Sequence, residues 1–165
     1  MTGLKGEMDR FVSHYPLRLD AKGRVSVPAP FRAALKRDGF DGLYCYPALD
    51  RPALDAGGHA LLAENEALLA GLSPASAERD RFSLSLYGTS ETLKIDREGR
   101  VTLTETLKAH AGIADAVTFV GLGHKFQIWE PSRFRTELAA ATEKVRAFRQ
   151  EPLGAKAGAK PGARE

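Results

Sequence analysis

Two Asp-x-x-x-Arg pairs, Asp20/Arg24 in "LDAKGRVSV" and Asp96/Arg100 in "IDREGRVTL", recur 76 positions apart. In each, a three-residue loop ending in Gly23 or Gly99 separates the carboxylate from the guanidinium. An Asp entering such a loop can accept hydrogen bonds from the amides just ahead of it. A Gly at the last loop position supplies the positive φ with which a type I turn ends at a bulge. The Arg leaving the loop has two uses. It can close an ion pair that steadies the turn, which adds little when exposed, or it can turn its fork toward two acceptors on a phosphate or a guanine edge. The residues alone leave both uses open, although a generic turn needs the Gly more than the Arg.

Around each pair cations predominate. Arg18, Lys22 and Arg24 in the first repeat, and Lys94, Arg97 and Arg100 in the second, could share an outer surface if a pseudo-two-fold axis relates the repeats. Phosphates are met by Lys and Arg, and a two-stranded β-ribbon fits the major groove, so such a loop suits a nucleic-acid reader. Glu98 would weaken a phosphate contact at the second loop, so Arg24 and Lys22 are expected to matter more.

Other chemistries find less support. Asp20 and Asp96 could form a carboxylate pair across the axis, but each has a turn to cap and an Arg that keeps it ionised, so no catalytic residue is assigned. His14, His59, His110 and His124 are scattered without metal-ligand spacing, and no metal or other cofactor is expected. "GLGHK" lacks the remaining residues of a phosphate loop and reads as a turn between strands. Cys45 lies in an apolar run, where a buried, inert thiol is expected. The chain is therefore expected to be no enzyme and to have no small-molecule substrate.

The elements that position these residues must fit within 165 residues, 43% of them apolar, which is enough for a core. One cysteine excludes an internal disulfide. The N-terminal stretch is broken by charges, and no run approaches a membrane span, so a cytoplasmic protein without a membrane partner is expected. The net charge is +3, of which the Gly/Ala-rich tail 152–165 carries +2. Bulk basicity is thus weak evidence for a nucleic-acid partner; placement must carry it. The tail, poor in large apolar residues, is expected to be disordered.

Period-two alternation flanks both loops: Leu17, Leu19, Val25 and Val27 in the first repeat, Leu93, Ile95, Val101 and Leu103 in the second. Each repeat therefore reads as a hairpin with one apolar face. A short helix should follow, with Pro30 at the start of the first and Thr104 and Gly112 bounding the second. The first repeat then shows only "GLYCYP", whereas the second shows strand, turn and strand. Leu61, Leu62, Leu68, Leu69 and Leu72 suggest a helical stripe ending at Ser73-Pro74. Phe134, Leu138, Ala141, Val145 and Phe148 give a closing helix a narrow seam for the body or a neighbouring subunit. Units of about 40 residues are marginal alone. The expected fold is therefore α+β and β-rich, with flanking helices and the two apolar faces packed together in one pseudo-dimeric β-barrel. The expected spans are 14–51 and 90–133 for the two units, 52–89 for a helical connector, 134–151 for the last helix and 152–165 for the tail.

"LRLDAKGRVSVPAPFR" and "LKIDREGRVTLTETLK" resemble the DNA-binding half of the AbrB/SpoVT swapped-hairpin family. Their pairing in one chain, with "FVGLGHKFQIW", is similar to the MraZ family of bacterial transcriptional regulators over roughly residues 10–135. The resemblance implies two AbrB-like swapped-hairpin units in an intramolecular pseudo-dimer. It implies ring-shaped homo-oligomers in the cytoplasm, associated with the nucleoid. The implied partner is double-stranded DNA, at short direct repeats in the promoter of the division and cell-wall gene cluster. It also gives the Asp-x-x-x-Arg positions the DNA-contact role: Arg24 and Arg100 inherit it, while Asp20 and Asp96 shape the loops, because a bare carboxylate repels phosphate. The alternative is a protein–protein assembly module, such as the antitoxin of a toxin pair, which uses a similar hairpin.

Overall fold

Apolar alternation produces the strands around both loops: β1 (His14–Arg18) and β2 (Arg24–Ser26) in the first repeat, β5 (Glu91–Leu93) and β6 (Arg100–Thr102) in the second. These come from a computed structural model that describes residues 10–150; the tail read as disordered lies outside them. After β2 come α1 (Ala29–Asp38), β3 (Leu43–Pro47) and β4 (Ala53–Gly57), then α2 (His59–Ala70) and α3 (Ala77–Leu86). After β6 come α4 (Glu105–Ala111), β7 (Ala116–Gly121), β8 (Phe126–Trp129) and α5 (Pro131–Gln150). The protein is α+β and β-rich. Among the described residues no helix is long and apolar enough to cross a membrane.

Helix boundaries follow local chemistry. Pro30 stands in the first turn of α1, and Gly39 closes that helix in the left-handed conformation. Thr104 Oγ1 accepts from the Leu107 amide at 3.3 Å to cap α4, and Gly112 ends it. Between α2 and α3 the cap is Ser76 rather than the expected Ser73-Pro74: its hydroxyl accepts from the Arg79 amide at 3.1 Å. The leucine stripe also differs. Leu61, Asn65 and Leu69 face inward, one turn apart, while Leu68 is 51% exposed. Asn65 is tolerated there because Tyr46 offers its hydroxyl, 3.2 Å from Nδ2.

The strands flanking each loop do not pair with one another as a hairpin. β1 pairs with β7 and β2 with β6, both antiparallel. Within each repeat the backbone bonds at the loop base are Asp20 N–H to Arg24 O and Asp96 N–H to Arg100 O, both 2.9 Å, with the turns closed by Gly23 N–H to Asp20 O and Gly99 N–H to Asp96 O. The next bonds cross over: Leu103 N–H donates to Gly23 O and Val27 N–H to Gly99 O. Period-two patterning dictates which face is buried but not which strand lies alongside.

The six-stranded antiparallel sheet runs β1-β7-β8-β4-β3-β5, and β2-β6 forms a separate ribbon. No pairing joins the edges β1 and β5, so the sheet is open where a closed barrel was expected. The stretch read as a helical connector opens with a strand: β4 is wholly buried, between β3 and β8. The first repeat therefore has its own strand pair, β3–β4, where the sequence suggested divergence from β7–β8.

The chain divides after Pro131 into two compact units. In the first, both repeats contribute to one core: Leu19, Val25, Val27 and Phe31 join Leu93, Val101, Leu103, Phe119 and Phe126. A smaller cluster places Leu61, Leu69 and Leu86 over Tyr44 and Tyr46. Cys45 is fully buried, and desolvation, with smaller contributions from the charges of Glu91 and Asp55, pushes its thiol pKa up. The second unit begins at Ser132 and contains α5 from there on; of that helix only Phe134 is buried.

Candidate nucleic-acid interface

The ribbon is symmetric in register. Val25 opposes Val101, Arg24 opposes Thr102 and Ser26 opposes Arg100. Both strands have the same burial pattern, with the valine inward and its neighbours toward solvent. One face thus presents Arg24, Ser26, Arg100 and Thr102. The two arginines are diagonal neighbours, about 7–8 Å apart at Cα.

The loops at the two ends of this ribbon share one hydrogen-bond scheme. In the first, Asp20 Oδ1 accepts from the amides of Lys22 and Arg24, each at 2.9 Å, and Oδ2 accepts from Arg24 Nε at 2.7 Å. In the second, Asp96 Oδ1 accepts from Glu98 and Arg100 at 2.9 Å, and Oδ2 from Arg100 Nε at 3.0 Å. Gly23 at φ 79° and Gly99 at φ 82° occupy the left-handed position that ends each turn. The two uses of the Arg are therefore compatible. Nε steadies the loop, and the terminal nitrogens remain on a side chain 32% exposed at Arg24 and 29% at Arg100. The loops differ in one respect: Glu98 Oε1 lies 3.4 Å from Arg100 Nη2, whereas among the described residues no carboxylate engages the terminal nitrogens of Arg24.

The backbone amide bonds, followed by the arginine side chains, hold both carboxyls below the usual carboxylate range. The sign follows directly: a carboxyl lowered in the folded state contributes order above the unfolded value of about 3.9, and that contribution is lost as pH falls through the lowered value. Titration by NMR should therefore show the amide signals of Lys22, Arg24 and Arg100 constant from neutrality to about pH 4 and moving only below it. Movement centred at or above the ordinary Asp value would show that the carboxylates do not organise the loops.

The other predicted cations separate into two groups. Lys22 and Arg97 are exposed at the loop tips. Arg18 ends β1 and pairs with Asp115 at 3.0 Å, and Lys94 is exposed just after β5; neither stands on the ribbon. Two further cations were missed. Arg32 of α1 donates to Val27 O and lies over the opposite loop, where a Cβ at Gly99 would stand 2.8 Å from its guanidinium carbon. Lys108 of α4 holds the matching place over Gly23, 4.0 Å from where a Cβ would be. Both follow their loop arginine by eight residues, a repeated cation visible once the phrases are aligned through the helices. Each loop is thus covered by a cation from the other repeat.

A family described as "MraZ protein, putative antitoxin-like" matches residues 86–151. A transcriptional regulator MraZ of Methylocella silvestris is 66% identical over 144 residues, 87% of this chain and 88% of that protein. One of Xanthobacter autotrophicus is 63% identical over 143 residues, covering 87% and 91% of the two chains. One of Rhizobium meliloti is 43% identical over 136 residues, 82% of this chain and 93% of its own. With relatives of this identity matched over more than four fifths of the chain, the chain belongs to the MraZ family of transcriptional regulators.

Proposed function

We propose that this protein is a sequence-specific DNA-binding transcriptional regulator that reads short direct repeats in the promoter of the division and cell-wall gene cluster. The observation that carries the reading is the ribbon β2–β6, which brings Arg24 and Arg100 to one solvent face between two loops of the same construction. Its matched register and crossed loop bonds support the pseudo-dimer of two AbrB-type units. In this reading Arg24 and Arg100 contact bases or phosphates with their terminal nitrogens, Lys22 and Arg97 approach phosphates from the loop tips, and Asp20, Gly23, Asp96 and Gly99 set the loop shape. Arg18 and Lys94 take peripheral phosphate contacts.

One ribbon offers few contacts, so useful affinity needs several copies on spaced repeats, joined in a ring-shaped homo-oligomer that raises effective concentration. The working location is the nucleoid within the cytoplasm. Fluorescence anisotropy with the chain's own upstream duplex tests this. Binding should exceed that to a scrambled duplex and fall by about a thousandfold or more between 50 and 200 mM salt, as for a protein with six or more phosphate contacts. Equal, weakly salt-dependent binding to both duplexes would overturn it. The family description "antitoxin-like" favours a second reading, an assembly module holding a protein partner. Co-purification of such a partner at fixed ratio, without promoter binding, would select it.

A further inference from the structure

We infer that Arg32, on α1 of the first repeat, is a positioning residue for Arg100, the DNA-reading arginine of the second. The inference rests on the DNA-reading role proposed above and adds the side chain that holds one of its two readers in place.

A Cβ at Gly99 would stand 2.8 Å from both Cζ and Nη1 of Arg32 and 2.9 Å from its Nε. Near-equal distances to three atoms of one plane mean that the guanidinium lays its face against Gly99, on the side where a Cβ would project. Only glycine leaves that room, and glycine also takes the φ of 82° that ends the turn at no steric cost. The same guanidinium donates through Nη1 to Val27 O, while the Val27 amide donates to Gly99 O at 2.9 Å. Val27 is fully buried and makes a fixed anchor. Gly99 is thus held on one side by a core residue and on another by a side chain bonded to that residue. Arg100 follows directly, its amide and Nε both bound to Asp96. Fixing Gly99 therefore fixes where the Arg100 fork starts, and order present beforehand lowers the entropy lost on binding DNA.

Among the described residues the first loop has no such clamp. Lys108 Nζ stands 4.0 Å from where a Cβ at Gly23 would be, and it donates to Glu105 Oε2 at 3.2 Å. An ammonium is a compact, strongly hydrated charge without a flat face to lay on a backbone. The control is therefore one-sided and crossed: the helix that follows Arg24 serves the loop of Arg100. Proximity in sequence would instead assign Arg32 to Arg24, eight residues before it.

Double-variant cycles on the promoter duplex test the crossing. Arg32→Met removes the guanidinium and keeps an apolar stem. It should weaken binding by no more than Arg100→Ala does, a loss of about 5-fold to 150-fold for one bidentate contact. In an Arg100→Ala background it should cost nothing further, and in an Arg24→Ala background its full factor. Its salt slope should match the parent's. Arg32→Lys keeps the charge but not the face, so it should lose as much, and it carries the cycle should Arg32→Met not fold by circular dichroism. A full loss in the Arg100→Ala background, rescue by lysine, or a slope lowered by about 1 would overturn the inference, since a direct phosphate contact by Arg32 gives all three. A readout without DNA separates this failure from that of the DNA reading. In Arg32→Lys the amide signals of Gly99 and Arg100 should shift while those of Gly23 and Arg24 hold; equal shifts in both loops, or none, would overturn the positioning. A parent without preference for its promoter would overturn the DNA reading, and the inference with it, whatever the amide signals show.

Discussion

A chain carrying Arg24→Ala and Arg100→Ala binds its promoter duplex at least about 30-fold more weakly than the parent, with its fold intact. Each good bidentate guanidinium contact is worth about 1–3 kcal/mol. The pair therefore accounts for about 2–6 kcal/mol, or about 30-fold to more than 10⁴-fold at 1.4 kcal/mol per decade. Stability should change little, because the side chains are exposed in part and the backbone bonds to Asp20 and Asp96 do not need them. The two arginines are not equivalent. Glu98 draws on Arg100 Nη2 at 3.4 Å, a competitor with no counterpart at Arg24 among the described residues, so Arg24→Ala alone should cost more than Arg100→Ala alone.

Arg24→Lys separates the two kinds of contact. A lysine keeps the charge but loses both the fork and the Nε bond to Asp20. If Arg24 reads bases, this variant approaches the parent on scrambled duplex and loses its preference for the promoter; if it meets phosphate alone, the preference survives. Anisotropy titrations on both duplexes, with thermal melts as the fold control, supply the measurement. Undiminished promoter binding by the double alanine variant would place the contact elsewhere.

The loops were legible because their chemistry is local. Asp, Gly and Arg at fixed offsets dictate the turn, the positive φ and the carboxylate's amide partners, and all three appear in both repeats. The burial of Val25, Val27, Val101 and Leu103 was legible too, from alternation alone. Partnership was not. A strand of three residues, Arg24–Ser26, carries no information about whether β1 or β6 lies beside it, and the crossed bonds of Val27 and Leu103 depend on residues 72 or more positions distant.

Strand β4 was hidden for a different reason. Ala53-Leu54-Asp55-Ala56-Gly57 lacks the β-branched and aromatic residues that mark strands, and an aspartate is ordinarily exposed. Asp55 is in fact buried, held by Gln127 Nε2 at 2.7 Å and Lys125 Nζ at 3.3 Å, both from the second repeat. Arg32 and Lys108 escaped notice because a cation on a short helix ordinarily faces water; only the third dimension sets them over Gly99 and Gly23.

Phe31→Ala should destabilise the protein by about 3–5 kcal/mol, the usual cost of removing a fully buried aromatic, and lower Tm by on the order of 10 °C. Phe31 is 1% exposed and meets Phe11 at 5.3 Å and Tyr15 at 5.4 Å between ring centroids, both edge-on. It also lies 4.8 Å from Phe126 and 6.4 Å from Phe119. Tyr15 belongs to its own repeat, Phe11 to the segment just before it, and Phe119 and Phe126 to the other repeat, so the void would open where the two repeats share their core. A separate core in each repeat would let one half melt early and leave the other unmoved. A shared core gives one cooperative transition shifted as a whole, recorded identically by far-ultraviolet dichroism and by fluorescence of Trp129, which stands in the second repeat. Two transitions, with the tryptophan signal holding the parental midpoint, would show that the repeats fold apart and that duplication serves the charged face alone.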